Sequence, residues 1–404
     1  MSERIVITGL GLVTPVGVGR EEAWRALLAG CCGIREVESF DATGFTSRLG
    51  AEVRGFEPAG LLARIDPAGV GRASQFAAVA ARLALTDAGL PTVADPERAG
   101  VAMGTTSGEP REIEDFDDRW LAADYEGVRG EFVNRYRCAS IPEVVASEAG
   151  FRGLNIMIPT ACAAGNYAIA YAFDALRAGR ADVMLAGGAD CFSRITYSGF
   201  SRLGAIAAER CQPFDRNRQG MVPGEGAGVL TLETWEHAAA RGARVYAEIA
   251  GYGLSCDAHH MTAADGDGAA RAMIQALRDS GHRPEEVSYV SAHGTGTPTN
   301  DRLECAAVGR VFGEGAATLP MSSIKSMIGH TMGAASAIEA AVCALAIHEG
   351  RVPPTINFSE PDPECPVDCV ANECREMPVA VAMSNAYAFG GNNASLMLRA
   401  WEAA

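Results

Sequence analysis

The chain states most of its local patterns twice, in the same order. That restricts it to folds assembled from two similar units. The segment ALTDAG at 84–89 reappears as ALRDSG at 276–281. Each closes a helical pattern, QFAAVAARLALTDAG and GAARAMIQALRDSG, that stops at a glycine. An apolar strand run then follows each, AGVAMGTTSG and VSYVSAHGTGT. NIMIPTACAAGNYAIAYAFDALRAGRADVMLAGGAD reads as strand, small-residue loop, helix, turn and strand. MSSIKSMIGHTMGAASAIEAAVCALAIHEG repeats the loop and helix, and VAMSNAYAFGG supplies a later strand and turn. The openings also match, RIVITGLGLVTPVG at 4–17 and RVYAEIAGYGLSC at 244–256. These ordered matches predict two α/β halves, 1–240 and 241–404, with equivalent loops near a pseudo-twofold axis. Chance likeness among α/β sequences is the plainer alternative, and the shared order weighs against it.

Bulk properties narrow the function. A length of 404 residues suits two domains or a duplicated unit. The 34 basic against 50 acidic residues leave a net charge of −16, which argues against nucleic acid as a partner. An acidic partner would need a local arginine patch. The 12 cysteines follow no disulfide rhythm, so free thiols in a reducing cytoplasm are expected. Cys365, Cys369 and Cys374 cluster, but without a nearby histidine or a CxxC pair no metal is expected. No uninterrupted apolar run reaches the roughly 18–20 residues of a membrane span, so no membrane partner is expected. The glycine loops do not follow a dinucleotide fingerprint, and no cofactor is expected.

Four stretches carry chemistry. In PTACAAGNYAIAYAFDAL, Cys162 stands where an apolar strand stops and a helix starts, like a nucleophile elbow with cysteine in place of serine. The helix N-terminus is expected to lower its thiol pKa. A buried structural cysteine is the alternative. In SAHGTGTPTND, His293 ends a strand, and Thr295 and Thr297 follow in a loop suited to an amide-containing ligand. A plain turn with a partly exposed histidine is equally consistent with that stretch. In SSIKSMIGHTMGAASAIEAA, His330 opens a helix and takes in the second half the place Cys162 takes in the first. The helix N-terminus should keep His330 neutral. Glu339 lies further along that helix among apolar residues, and a buried carboxylate wants a cation. Lys325, the chain's one lysine against 33 arginines, is the nearest in sequence. In NAYAFGGNNASL, a glycine turn offers backbone N–H groups to an oxyanion, with Phe389 at its edge as a gate.

In this order TACAAG, AHGTGTPTND, KSMIGHTMGAASAIE and AFGGNN resemble the elongating β-ketoacyl-acyl carrier protein synthases, and PFDRNRQGMVPGEGAG is similar to their mid-chain signature. The resemblance runs from about residue 3 to residue 398. It implies the thiolase fold, two duplicated halves in a five-layered αβαβα sandwich. It also implies that Cys162 accepts an acyl chain from a carrier protein, and that malonyl-carrier protein then loses carbon dioxide. His293 and His330 would hydrogen-bond the thioester carbonyl. The N–H groups of Cys162 and Phe389 would form the oxyanion hole. Thr295 and Thr297 would contact the phosphopantetheine arm, and Lys325 would pair with Glu339. Two histidines separate this pattern from the Cys-His-Asn set of chain-initiating synthases and from thiolases with their second cysteine.

Some positions depart from the family. The turn GGNN carries Asn392 where GGTN is usual, and Ser107 in GTTSG stands near a usual apolar gate. Asn166 and Tyr167 should lie by the acyl pocket or a dimer interface, and Phe200 by the pocket. These departures point to a specialised type II polyketide or polyene ketosynthase. A housekeeping fatty acid synthase acting as a homodimer is the alternative. A non-condensing chain-length-factor subunit fits less well, because such subunits lack the cysteine. The expected partners are an acyl carrier protein and either a second copy or a chain length factor, with Arg72 and Arg202 as candidate docking residues for the acidic carrier.

Overall fold

A computed structural model describes residues 3–402, other than 125, 127–129, 131 and 263. The first half contributes β1 (Ile5–Thr14), β2 (Ala99–Gly104), β3 (Asn155–Ile158), β4 (Val183–Asp190) and β5 (Gly226–Thr234). The second contributes β6 (Ala247–Cys256), β7 (Tyr289–Ser291), β8 (Pro320–Ser322), β9 (Val381–Tyr387) and β10 (Asn392–Arg399). The order β3-β2-β4-β5-β1 in one sheet is repeated as β8-β7-β9-β10-β6 in the other. Directions repeat as well. β2 is parallel to β3 and β4, and β5 is antiparallel to β4 and β1. Likewise β7 is parallel to β8 and β9, and β10 is antiparallel to β9 and β6. A short antiparallel pairing of Ile5–Ile7 with Ala247–Ile249 joins the two sheets.

Helices fill three layers around the sheets. α1 (Arg72–Asp87) and α2 (Ser140–Ala149) cover the outer face of the first sheet. α3 (Ala164–Arg177) lies between the sheets, and α4 (Arg194–Arg202) sits in the connection from β4 to β5. α5 (Gly266–Ser280) and α6 (Pro298–Phe312) cover the outer face of the second sheet. α7 (Ala335–Glu349) shares the middle layer with α3, and each of the two touches strands of both sheets. The result is the five-layered αβαβα arrangement of the thiolase fold.

The local sequence explains the elements. Asp265 caps α5 by accepting the Asp267 N–H at 3.0 Å, and Gly281 closes the helix at φ 72°. The first twelve residues of α7 are all buried because sheets or helices meet it all round, and apart from Ser336 and Glu339 they are apolar. Residues Met332–Glu349 have the length and mean hydropathy, 1.3, of a bilayer span, but 83% of the stretch is buried inside the protein. The two middle helices touch at Gly165, where an added Cβ would lie 2.6 Å from the Ala337 nitrogen and 2.8 Å from Ser336 Oγ. Contact that close needs a residue without a side chain. Gly165→Val should cost about 1–3 kcal/mol by overpacking. The urea midpoint checks this, and an unmoved midpoint would contradict the close approach.

Candidate active site

Cys162 sits in a single 3₁₀ turn, Ala161–Ala163, between β3 and α3. Ala161 has φ 50°, a left-handed conformation that costs an alanine about 1–2 kcal/mol. That strained residue turns the chain sharply enough to place the thiol at the head of α3. The helix N-terminus does not make it a thiolate. Burial pushes the thiol up to about 12, Asp190 adds to the rise, and Lys325 only partly offsets it. The direction is thus opposite to the expected lowering, because loss of water around a thiolate disfavours the charged form.

His293 follows β7 and is 3% exposed. Its backbone N–H donates to Glu304 Oε1 at 2.8 Å, and that of Gly294 donates to Glu304 Oε2 at 2.7 Å. Glu304 lies on α6 and is wholly buried, and burial raises its carboxyl to about 8 despite these two donors. Three residues earlier, Asp301 accepts the Phe214 and Gly296 N–H groups and so holds the far end of the same loop. Thr295 and Thr297 are hydroxyl partners at 2.9 Å.

His330 is 2% exposed. The mid-chain signature clamps its backbone. The His330 N–H donates to the Val222 carbonyl at 2.7 Å, and the Gly224 N–H donates to the His330 carbonyl at 2.8 Å. Met332 N–H donates to His330 Nδ1 at 3.3 Å, which leaves the ring proton on Nε2. Burial first, then the charge of Lys325, hold both imidazoles well below the ordinary histidine range, so both are neutral donors. Their ring centres are 5.4 Å apart at 84°. Lys325 Nζ and Glu339 Oε1 form an ion pair with neither residue more than 1% exposed. Burial raises the Glu339 carboxyl to about 7 against the pull of Lys325.

The duplicated fold corrects the matching of His330 with Cys162. The turn Met332–Ala334 before α7 repeats the turn Ala161–Ala163 before α3, and Met332 has φ 55° where Ala161 has 50°. Gly333, not His330, is thus the counterpart of Cys162. His330 stands three residues ahead of the second elbow.

Cys162, His293 and His330 line one cavity of about 120 Å³, with Thr295, Thr297, Phe200 and Phe389 on its walls. The Phe200 and Phe389 rings are 5.8 Å apart, and Phe389 is 41% exposed at the rim. Among the described residues, the turn N–H groups of Ala388, Gly390 and Gly391 are engaged, whereas that of Phe389 has no backbone acceptor. Ser107, Asn166, Tyr167, Arg72, Arg202, Lys325 and Glu339 do not line this cavity. Ser107 donates its N–H to Asp190 and touches the Thr196 hydroxyl at 3.3 Å. Asn166 is buried between α3 and β9, its side chain donating to the Ser384 carbonyl at 3.2 Å. Tyr167 directs its hydroxyl to the backbone carbonyls of Ser255 and Asn393. Arg72 is corrected as a docking residue. Its guanidinium grips the buried Glu225 carboxylate at 2.6 and 2.9 Å and the Val53 carbonyl at 2.9 Å, so its charge is spent inside. Arg202 is exposed at the end of α4, two residues from Phe200.

Residues 2–238 match the family model for the β-ketoacyl synthase N-terminal domain, and residues 246–359 match that for the C-terminal domain. The chain belongs to the β-ketoacyl synthase family. Among curated relatives of this synthase, 3-oxoacyl-acyl-carrier-protein synthase 2 of Synechocystis sp. is 39% identical over 99% of both chains. The tetracenomycin polyketide synthase ketoacyl synthase alpha subunit of Streptomyces glaucescens is 40% identical over 98% of this chain and 97% of its own. A solved structure described as the ishigamide ketosynthase/chain length factor superposes with a TM-score of 0.96 and 42% identity, over 100% of both chains. This synthase is therefore an acyl-transferring condensing enzyme.

The carboxylates that hold the site were not picked out from sequence. Asp301 and Glu304 are three apart on one face of a helix beside apolar Cys305, Ala307 and Val308, a pattern that signals inward-facing acids. Glu225 and Asp190 had no such signal, since each lies at a strand end. The raised thiol predicts that alkylation of Cys162 by iodoacetamide keeps climbing about tenfold per pH unit from 7 to 9.5. Peptide mapping of timed digests checks this; a plateau below pH 9 would contradict the buried thiol.

Proposed function

We propose that Cys162 is the acyl acceptor and that His293 and His330 promote decarboxylation of a malonyl thioester. One observation carries the reading: a thiol on a strained elbow shares a small cavity with two buried, neutral imidazoles. The Cys162 sulfur attacks the acyl-carrier thioester, and its proton leaves with the departing carrier thiol. Malonyl-carrier protein then enters. Its thioester oxygen takes hydrogen bonds from the imidazoles as the carboxylate departs as carbon dioxide and an enolate forms. The enolate carbon attacks the Cys162 acyl carbon, and the resulting oxyanion meets the N–H groups of Cys162 and Phe389. Collapse expels the Cys162 thiolate, which regains a proton from water, and releases β-ketoacyl-carrier protein. Neutral imidazoles suit this step, since the enolate needs donors that do not surrender their protons. Thr295 and Thr297 serve the pantetheine arm, and Arg202 is the docking residue retained from the sequence.

The pathway we infer is a specialised type II polyketide or polyene one, with a second copy or a chain length factor as subunit partner. Asn392 supports this, as does the likeness to the ishigamide ketosynthase/chain length factor. The likeness to synthase 2 of Synechocystis sp. supports the housekeeping alternative. Twelve unpaired cysteines support a cytoplasmic location. The working division is 1–240 for the half with the nucleophile and 241–404 for the half with the histidines.

Mixing the purified protein with acyl- and malonyl-carrier proteins and following intact masses tests the reading. A Cys162 acyl adduct with β-ketoacyl-carrier protein is expected from a self-sufficient enzyme, and condensation that persists after Cys162→Ala would refute the assigned nucleophile. Lys325→Arg should lower condensation more than about 100-fold, while overpacking of about 1–3 kcal/mol leaves the chain folded. Near-normal turnover would mean the ammonium is not needed beside Glu339.

A further inference from the structure

We propose that Asp190 is a positioning residue that fixes which nitrogen of His330 carries the proton. Asp190 ends β4 and is wholly buried. Its two oxygens take four donors from two distant segments. Oδ1 accepts the Thr105 hydroxyl and the Ser107 N–H, both at 2.9 Å. Oδ2 accepts the Thr106 and Gly333 N–H groups, both at 2.7 Å. Gly333 belongs to the turn that begins with Met332, and Met332 N–H is the donor to His330 Nδ1.

The turn is held rather than relaxed. Met332 keeps φ 55°, unfavourable for a residue with a side chain, and the Asp190 bond to the next N–H offsets that cost. The fit is tight, for a Cβ at Gly333 would lie 2.7 Å from Asp190 Oδ2 and 2.7 Å from Thr105 Cα. With the turn in place, Nδ1 of His330 is an acceptor and Nε2 is the donor. Asparagine could still keep its one oxygen at the Oδ2 place and hold the Gly333 N–H, so the change that removes this acceptor is leucine, which has the branched shape of aspartate and no acceptor at all. The same carboxylate holds the Thr105–Ser107 loop, so it couples the end of β2 to the histidine of the other half.

The inference rests on the reading of His330 as a donor to the malonyl thioester, but its test does not need activity. The full-length protein labelled with ¹⁵N-histidine, as wild type and D190L, would be compared by ¹⁵N–¹H correlation of the imidazoles. In the wild type His330 should show protonated Nε2 and bare Nδ1. D190L should show a mixture of tautomers, and condensation should fall about tenfold more than Cys162 acylation. T105V, which leaves the Gly333 bond intact, should keep the wild-type tautomer. If D190L does not fold, G333A, whose added Cβ would collide with Asp190 Oδ2 and displace the Gly333 N–H from it, carries the same expectation. A single Nε2–H tautomer in a folded D190L or G333A protein overturns the proposal. A mixed tautomer with undiminished condensation supports it and instead refutes His330 as the donor.

Discussion

The architecture depends on how closely two helices can approach. α3 and α7 share one layer between two sheets, and they meet where Gly165 lies against the backbone of α7. Because each helix begins at an elbow, bringing the helices together brings the elbows together. The thiol of one half and the histidines of the other then face one cavity without a long loop to carry either. The same burial that makes α7 a core helix strands Glu339 away from water, and Lys325 answers that charge from the segment leading into His330.

Buried acids organise the loops around this core. Asp190, Glu225, Glu304 and Asp301 each accept backbone N–H groups that no strand or helix satisfies. A carboxylate offers four lone pairs at one point, so one side chain can gather several turns of irregular backbone. An acidic chain thus uses part of its charge inside. Arg72, half-buried, spends hydrogen bonds on one of these acids, the buried Glu225.

Periodicity made the helices and their glycine stops legible, and the repeated pattern gave the two-sheet architecture. Lys325 and Glu339 could be paired from sequence because a lone lysine stood near a carboxylate in an apolar helix. What escaped has physical causes. The Cys162 thiol was misjudged because sequence shows a helix start but not the dehydration around it. The elbow of the second half was placed three residues early because a positive φ at Met332 leaves no compositional mark; the matching position in the first half is an alanine. Ser107, Asn166 and Tyr167 were assigned by analogy of position, and their hydrogen bonds turn Asn166 and Tyr167 toward backbone carbonyls and Ser107 toward Asp190 and Thr196 instead of the cavity. Arg72 shows the general difficulty: a charge looks free in a sequence until the partner 153 residues away is seen.

The glycine at position 333 bears on how such a molecule arose. Duplication of a unit with a reactive elbow would ordinarily double the reactive groups. Here the second elbow is pressed so tightly against the ends of β2 and β4 that even a methyl group collides, so no side chain of any kind can be presented there. The second half presents no side chain at its own elbow, and its histidines instead face the chamber of the first. Two elbows in one polypeptide thus leave a single thiol at an elbow, that of Cys162.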